Sequence, residues 1–275
     1  MHPVPYWRLS AYYFAYYAFL GVFSPYFVLY LRTLDFSAWD IGLLMSQMQL
    51  MRLFGPYFWG WLADRQGQRL AIVRWTAGIA MLFFFAFFLT GKLWFLLTVM
   101  AVFAFFWSAS LPLVESLTFD HLREHAARYS WIRLWGSVGF IVAVLIVGAL
   151  LDLLPPASLP WMCLVTLLAI LGCSFYVPEV SSHHQAKESP PVAEILALPH
   201  VRALFVSCFA MTAAHGALNI FYTLYLDAHG VSKTMTGILW TLGVLAEIAV
   251  FLVMAKAMRR FDLRRILLVS LVAAV

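Results

Sequence analysis

Six polar residues stand in stretches otherwise built from apolar side chains: Arg52, Glu115, Arg133, His215, Asn219 and Glu247. A charge at the centre of a bilayer costs about 2.5–3.5 kcal/mol on insertion scales, so such residues are kept for pairing, ligand binding or proton movement. Arg52 lies 12 residues beyond Asp40, roughly 18 Å along a helix, which is mid-depth and too deep to reach water easily. Glu247 lies 14 residues past Lys233 and 9 before Lys256. Both are expected to line a central cavity, with a structural helix-to-helix pair as the competing account. His215 and Asn219 are one turn apart and share a helix face. An imidazole that titrates near neutrality suits proton movement, although a lone histidine also serves as a hydrogen-bonding packer. Glu247 is the carboxyl expected to take up and release a proton, because burial favours its neutral form and loading it removes a charge from the cavity. Glu115 and Arg133 flank a short loop near the ends of their helices, where interfacial pairing competes with a binding role.

These residues need membrane-length helices to position them. A chain that is 64% hydrophobic and 11% charged, with mean hydropathy +0.87, belongs in lipid. A helix needs about 20 apolar residues to cross the hydrocarbon core. Such runs fall at about 9–31, 41–62, 70–90, 93–118, 131–151, 159–177, 203–226 and 235–258, and a ninth begins near Ile266 and stops mid-run at Val275. The expectation is therefore an all-α membrane protein of about eight full spans, cut inside a ninth. Pro112, one turn before Glu115, is expected to bend the fourth span.

With the N-terminus in the cytoplasm, Arg8, Arg65, Arg69, Arg74, Arg123, Arg128, Lys187, Arg202, Lys256, Arg259, Arg260, Arg264 and Arg265 fall on the inner side. Only Arg32, Lys92 and Lys233 fall outside. This asymmetry predicts the topology and accounts for the basic balance without nucleic acid. It also disfavours a seven-helix receptor with its N-terminus outside. Cys163, Cys173 and Cys208 lie in apolar runs without pairing or metal-ligand spacing, and His183-His184 lacks a third ligand at useful distance. No metal or cofactor is expected. The polar, proline-bearing segment Pro178–Leu198 reads as a flexible cytoplasmic linker. Domains are accordingly expected at 1–178, six spans, and from 200 to 275, with residues 179–199 between them. A shift of 195 residues lays Ile41-Gly42-Leu43-Leu44 over Thr236-Gly237-Ile238-Leu239, Tyr30-Leu31 over Tyr225-Leu226, and Arg52 over Glu247, which is the signature of an internal repeat.

Between the second and third runs stands Gly60-Trp-Leu-Ala-Asp-Arg-Gln-Gly-Gln-Arg69. Gly60 is expected to let helices approach closely and Gly67 to permit the positive-φ turn that reverses the chain; the short gap predicts that the flanking helices pair. Gly60, Leu62, Ala63, Asp64, Arg65, Gly67 and Arg69 together resemble the signature loop of major facilitator superfamily transporters. The resemblance implies two six-helix bundles related by a pseudo-two-fold, alternating access, and a gate latch formed by Asp64, Arg65 and Arg69. Leu111-Pro-Leu-Val-Glu115 followed by Arg133-Leu-Trp-Gly-Ser-Val-Gly-Phe140 is similar to the lactose-permease branch, which implies that Glu115 and Arg133 hold the substrate. Phe140 stands where those permeases stack a tryptophan on the sugar, a departure that argues against a galactoside. Tyr129-Ser-Trp-Ile-Arg-Leu-Trp-Gly-Ser137, the run from His215 to Tyr225 and the run Gly237–Glu247 resemble the phenylpropionic acid permease family. These resemblances imply a proton-coupled symporter of a small organic solute such as an aromatic acid, acting as a monomer among lipids in the bacterial inner membrane. A sugar or nucleoside symporter and a non-transporting sensor of the same fold are the alternatives. An enzyme is disfavoured because the chain has no H-E-x-x-H, serine-nucleophile or phosphate-loop motif.

Overall fold

A computed structural model of the chain describes residues 4–122, 128–180, 192–262, 265–266 and 268–270, and every regular element among them is helical. The long helices are α1 (Tyr6–Thr33), α2 (Ala38–Gln66), α3 (Arg69–Phe84), α4 (Leu93–Trp107), α5 (Ser110–Leu122), α6 (Tyr129–Leu151), α7 (Leu159–Tyr176), α9 (Pro199–Ala228) and α10 (Lys233–Arg260); α8 (Val192–Ala197) is a single short turn before α9. Seven helical runs among the described residues are long and apolar enough to cross a membrane. The second expected span, α2, is 29 residues long but less apolar, since Ser46, Gln47, Gln49 and Arg52 interrupt it. His183-His184 and most of the ninth run lie outside the described residues.

The fourth span is two helices in sequence, α4 and α5, broken at Ser108–Ala109. Pro112 is the cause: its ring clashes with the carbonyl four residues back, at Ser108, and it offers no N–H in return. The bend thus falls one turn earlier than Pro112 itself. The end of the expected linker, residues 192–197, is helical, unlike the flexible segment its composition suggested.

Helix α1 is the axis of the first half, packed chiefly on α6 and α7. Its Phe19, Phe23 and Phe27 stack in series, with ring centroids 5.3 and 4.5 Å apart, and Phe84, Phe87 and Phe103 close around them. Glycine sets how near α6 comes. A β-carbon built on Gly139 would stand 2.2 Å from the Phe14 carbonyl oxygen, and one on Gly21 would stand 2.7 Å from that of Phe140. Small residues of this kind let transmembrane backbones touch where lipid supplies no hydrophobic drive.

The signature loop behaves locally as its sequence predicts at one glycine and not at the other. Gly67 ends α2 in the left-handed region, φ 66°. A β-carbon on Gly60 would meet nothing within 4 Å, whereas one on Gly55 would collide with Ser108. The close approach is therefore a turn and a half earlier, while Asp64 and Arg65 at the end of α2 are exposed. Nor does the short gap pair α2 with α3: α2 lies mainly along α4, and α3 along α4 and α7. A tight loop reverses the chain but does not choose the packing partner.

Candidate functional site

A cavity of about 560 Å³ lies between α1 and α6 on one side and α9 and α10 on the other. That size is within the ~300–1,000 Å³ typical of small-ligand sites. Arg133, Ser137 and Phe140 reach it from α6, Asn219 and Tyr222 from α9, Trp240 and Glu247 from α10, and Tyr17 from α1. The spacings 133, 137, 140 and 240, 244, 247 each mark one helical face. Phe140 and Trp240 lie together in the cavity wall with ring centroids 6.5 Å apart; Trp240 is held by its N–H to Thr223 Oγ1, 3.3 Å away.

Arg133 lies over the Tyr17 ring, its Cζ 4.0 Å from the centroid, and donates a hydrogen bond from Nη2 to the Tyr17 hydroxyl. Among the described residues Arg133 has no carboxylate partner: the ion pairs are Arg69–Asp120 and Lys233–Asp227. Glu247 shares the cavity with Arg133 without pairing with it. The cavity therefore holds a cation on one wall, a carboxyl on the other and aromatic rings between, an arrangement that can clamp a small anion with a flat apolar body and move a proton beside it.

Of the residues singled out by sequence, the structure gathers Arg133, Phe140, Asn219 and Glu247 in this cavity. Glu115 instead accepts a hydrogen bond from the Tyr129 hydroxyl at 3.0 Å. Arg52 is exposed on α2, with Gln49 Oε1 at 3.5 Å, so the cavity takes only Glu247 from the expected Arg52–Glu247 pair. The His215 ring nitrogen Nδ1 contacts the Met211 carbonyl, 2.9 Å away within its own helix. In the signature loop, Arg69 is buried against Asp120, the Leu70 N–H donates to Glu179 at 2.8 Å, and Arg65 lies over Trp61. Tyr17, Ser137, Tyr222 and Trp240 escaped the sequence reading. Ser137 and Trp240 fall on the same helical faces as Arg133 and Glu247; Tyr17 gave no such signal among the many aromatics of α1.

On the side opposite the signature loop the two halves close. Asp152, just past α6, accepts hydrogen bonds from the backbone N–H groups of Lys233 (2.8 Å) and Thr234 (3.0 Å) and from the Thr234 hydroxyl (2.6 Å), capping the first turn of α10. The Tyr26 hydroxyl bridges the carbonyls of Val144 and Lys233 at 2.9 and 3.2 Å. Burial acts to raise the Asp152 carboxyl, but the Thr234 and Lys233 donors and the Lys233 charge prevail and hold it below its usual range. A lowered folded-state value means that the cap contributes fully above the ordinary carboxyl range, near pH 4, and is lost as pH falls through the folded value. Closure is thus expected to be unchanged between about pH 5 and 8. Asp152→Ala is expected to loosen it at any of these pH values, read as a broadened distance between spin labels at Leu153 and His229. An unchanged distribution would show that the carboxylate does not hold this side shut.

A multi-pass helical membrane chain with a ligand-sized cavity between two sets of spans has the architecture of a major facilitator-type transporter. The chain matches the MFS_1 like family over residues 6–275 and belongs to it. It is 29% identical over 270 residues to the "Probable 3-phenylpropionic acid transporter" of Escherichia coli K12, covering 96% of this chain and 70% of that relative. It is 26% identical over 261 residues to the maltose permease of Geobacillus stearothermophilus, covering 94% of this chain and 66% of the permease. The crystal structure of the nucleoside transporter NupG superposes with a TM-score of 0.78 at 18% identity, over 93% of this chain and 68% of that one. The chain thus spans about two thirds of the length of these proteins. Its family is one of transporters, not enzymes.

Proposed function

We propose that the protein is a proton-coupled symporter of a small aromatic acid that works by alternating access. The observation that carries this reading is Arg133: a cavity-facing cation with no carboxylate partner among the described residues, beside an aromatic wall and opposite Glu247. The solute named for the E. coli relative, 3-phenylpropionic acid, has the chemistry such a cavity would hold, a carboxylate on a phenyl body. The inner-side excess of Lys and Arg supports a cytoplasmic N-terminus. The domains 1–178 and 200–275, joined by 179–199, would then rock about the cavity, with the Asp152 closure facing outward. Asp64 and Arg65, exposed at the loop, remain available as a latch, while Arg69 anchors the loop to Asp120. The protein acts as a monomer in the inner membrane.

Uptake of 3-phenylpropionate by the membrane-embedded protein in vesicles, with and without an imposed pH gradient, tests the reading. Arg133→Gln removes the charge that pairs with the carboxylate and is expected to weaken binding by about 10²-fold, on the order of 3 kcal/mol. Binding that survives this change would refute the anion site. A neutral sugar or nucleoside is the second reading, supported by Ser137 and Asn219 in the lining and by the solutes of the maltose and nucleoside relatives. Competition among phenylpropionate, maltose and a nucleoside separates the two. A sensor with this fold would bind without uptake.

A further inference from the structure

Tyr17 lines the same cavity as Arg133 and Glu247. Its ring carries the Arg133 guanidinium on one face, and its hydroxyl oxygen accepts from Arg133 Nη2. A phenol hydroxyl that accepts one bond still has a proton to donate, and that proton has no acceptor among the described residues. The arrangement is built into the backbone of α6. A β-carbon on Gly136 would stand 2.6 Å from Tyr17 Cδ2 and 3.0 Å from Arg133 Nη1, so a glycine one turn after Arg133 leaves the space in which ring and guanidinium lie together.

We propose that Tyr17 is a specificity-determining residue that gives the solute carboxylate a second donor beside Arg133. This inference rests on the anionic-solute reading above. A carboxylate has two oxygens with about four acceptor positions. The guanidinium meets it through N–H groups in a fixed plane, and that plane is set by stacking on the Tyr17 ring. The phenol O–H, placed against the same guanidinium, donates to a carboxylate oxygen seated there. A neutral alcohol of the same shape offers no charge for either donor to meet. Tyr17 therefore orients the arginine through its ring and selects the anion through its hydroxyl.

Tyr17→Phe separates these two roles, since it keeps the ring and removes only the hydroxyl. Binding of 3-phenylpropionate and of the neutral 3-phenylpropan-1-ol to the membrane-embedded protein is measured for wild type and variant. The variant is expected to bind the acid about tenfold more weakly, the loss of one hydrogen bond to a charged group, and to bind the alcohol as wild type does. Unchanged or tighter acid binding would overturn the proposal, because the hydroxyl would then be a spectator or a competitor for Arg133. An equal loss for acid and alcohol would also overturn it, because the hydroxyl would then act through packing. The wild-type arm stands separately: no preference for acid over alcohol there refutes the anionic-solute reading itself, whatever Tyr17→Phe does.

Discussion

Glu247→Gln is expected to abolish accumulation of solute driven by a pH gradient while leaving solute exchange across the membrane intact. Glutamine reproduces the protonated carboxyl in size and hydrogen bonding but cannot release a proton. One proton per solute supports about a tenfold concentration ratio per pH unit, and the variant should bring that ratio to one. The structure makes the expectation specific. Glu247 lines the same cavity as Arg133 and makes no ion pair with it among the described residues, so the carboxyl is not already committed as the structural partner of the arginine. Were it such a partner, Glu247→Gln would lose folding or exchange as well, and neutralising Arg133 would partly restore them. Accumulation retained in Glu247→Gln would end the coupling role for this residue and turn the search to His215, whose ring contacts Met211 within α9.

The largest effect on stability is expected from a single methyl group at Gly139. In Gly139→Ala the new carbon would lie 2.2 Å from the Phe14 carbonyl oxygen and 2.9 Å from its carbonyl carbon and Cα. All three are backbone atoms of α1, so no side-chain rotation relieves the clash, and α1 and α6 must separate along their whole contact. That contact includes Gly21 against the Phe140 carbonyl and positions Tyr17 against Arg133. Overpacking typically costs about 1–3 kcal/mol where neighbours can shift, and here the upper end or beyond is expected, seen as a lower thermal melting point of the purified protein. Gly78→Ala is the control: nothing lies within 4 Å of its added carbon, and alanine in a helix is favoured over glycine by up to about 1 kcal/mol. Equal melting of Gly139→Ala and wild type would show that the two helices are not held at this distance by glycine.

The contrast between Gly139 and the signature loop shows where the sequence speaks for itself. Membrane spans are legible because lipid offers the backbone no hydrogen bonds, which forces long apolar helices and confines charge to their ends. The same rule marks Arg133 and Glu247, since a charge within an apolar run stands out whatever surrounds it. The positive-φ turn at Gly67 and the break forced by Pro112 are local properties of one or two residues, and both needed only the order of the chain. Helix partnership did not follow from that order. A short loop made α2 and α3 neighbours in sequence, yet α2 packs on α4, because in lipid the surfaces that fit are those with small residues such as Gly55 at the contact.

The composition of the cavity was likewise decided in three dimensions. The 195-residue register lays Arg52 over Glu247, but such a register predicts depth, not rotation about the helix axis, and of the two only Glu247 lines the cavity. Glu115 and Arg133 differ for a related reason: Tyr129 takes up the carboxylate, while the guanidinium stacks on Tyr17, a residue indistinguishable by sequence from the other aromatics of α1. By itself the sequence determined the membrane class, seven of the spans, the turn at Gly67 and the family, all of which rest on short stretches and the chemistry of the bilayer. The tertiary structure decided which charges converge, which aromatic meets the arginine and which glycine brings the helices together, because each depends on how two distant helix faces are rotated toward one another.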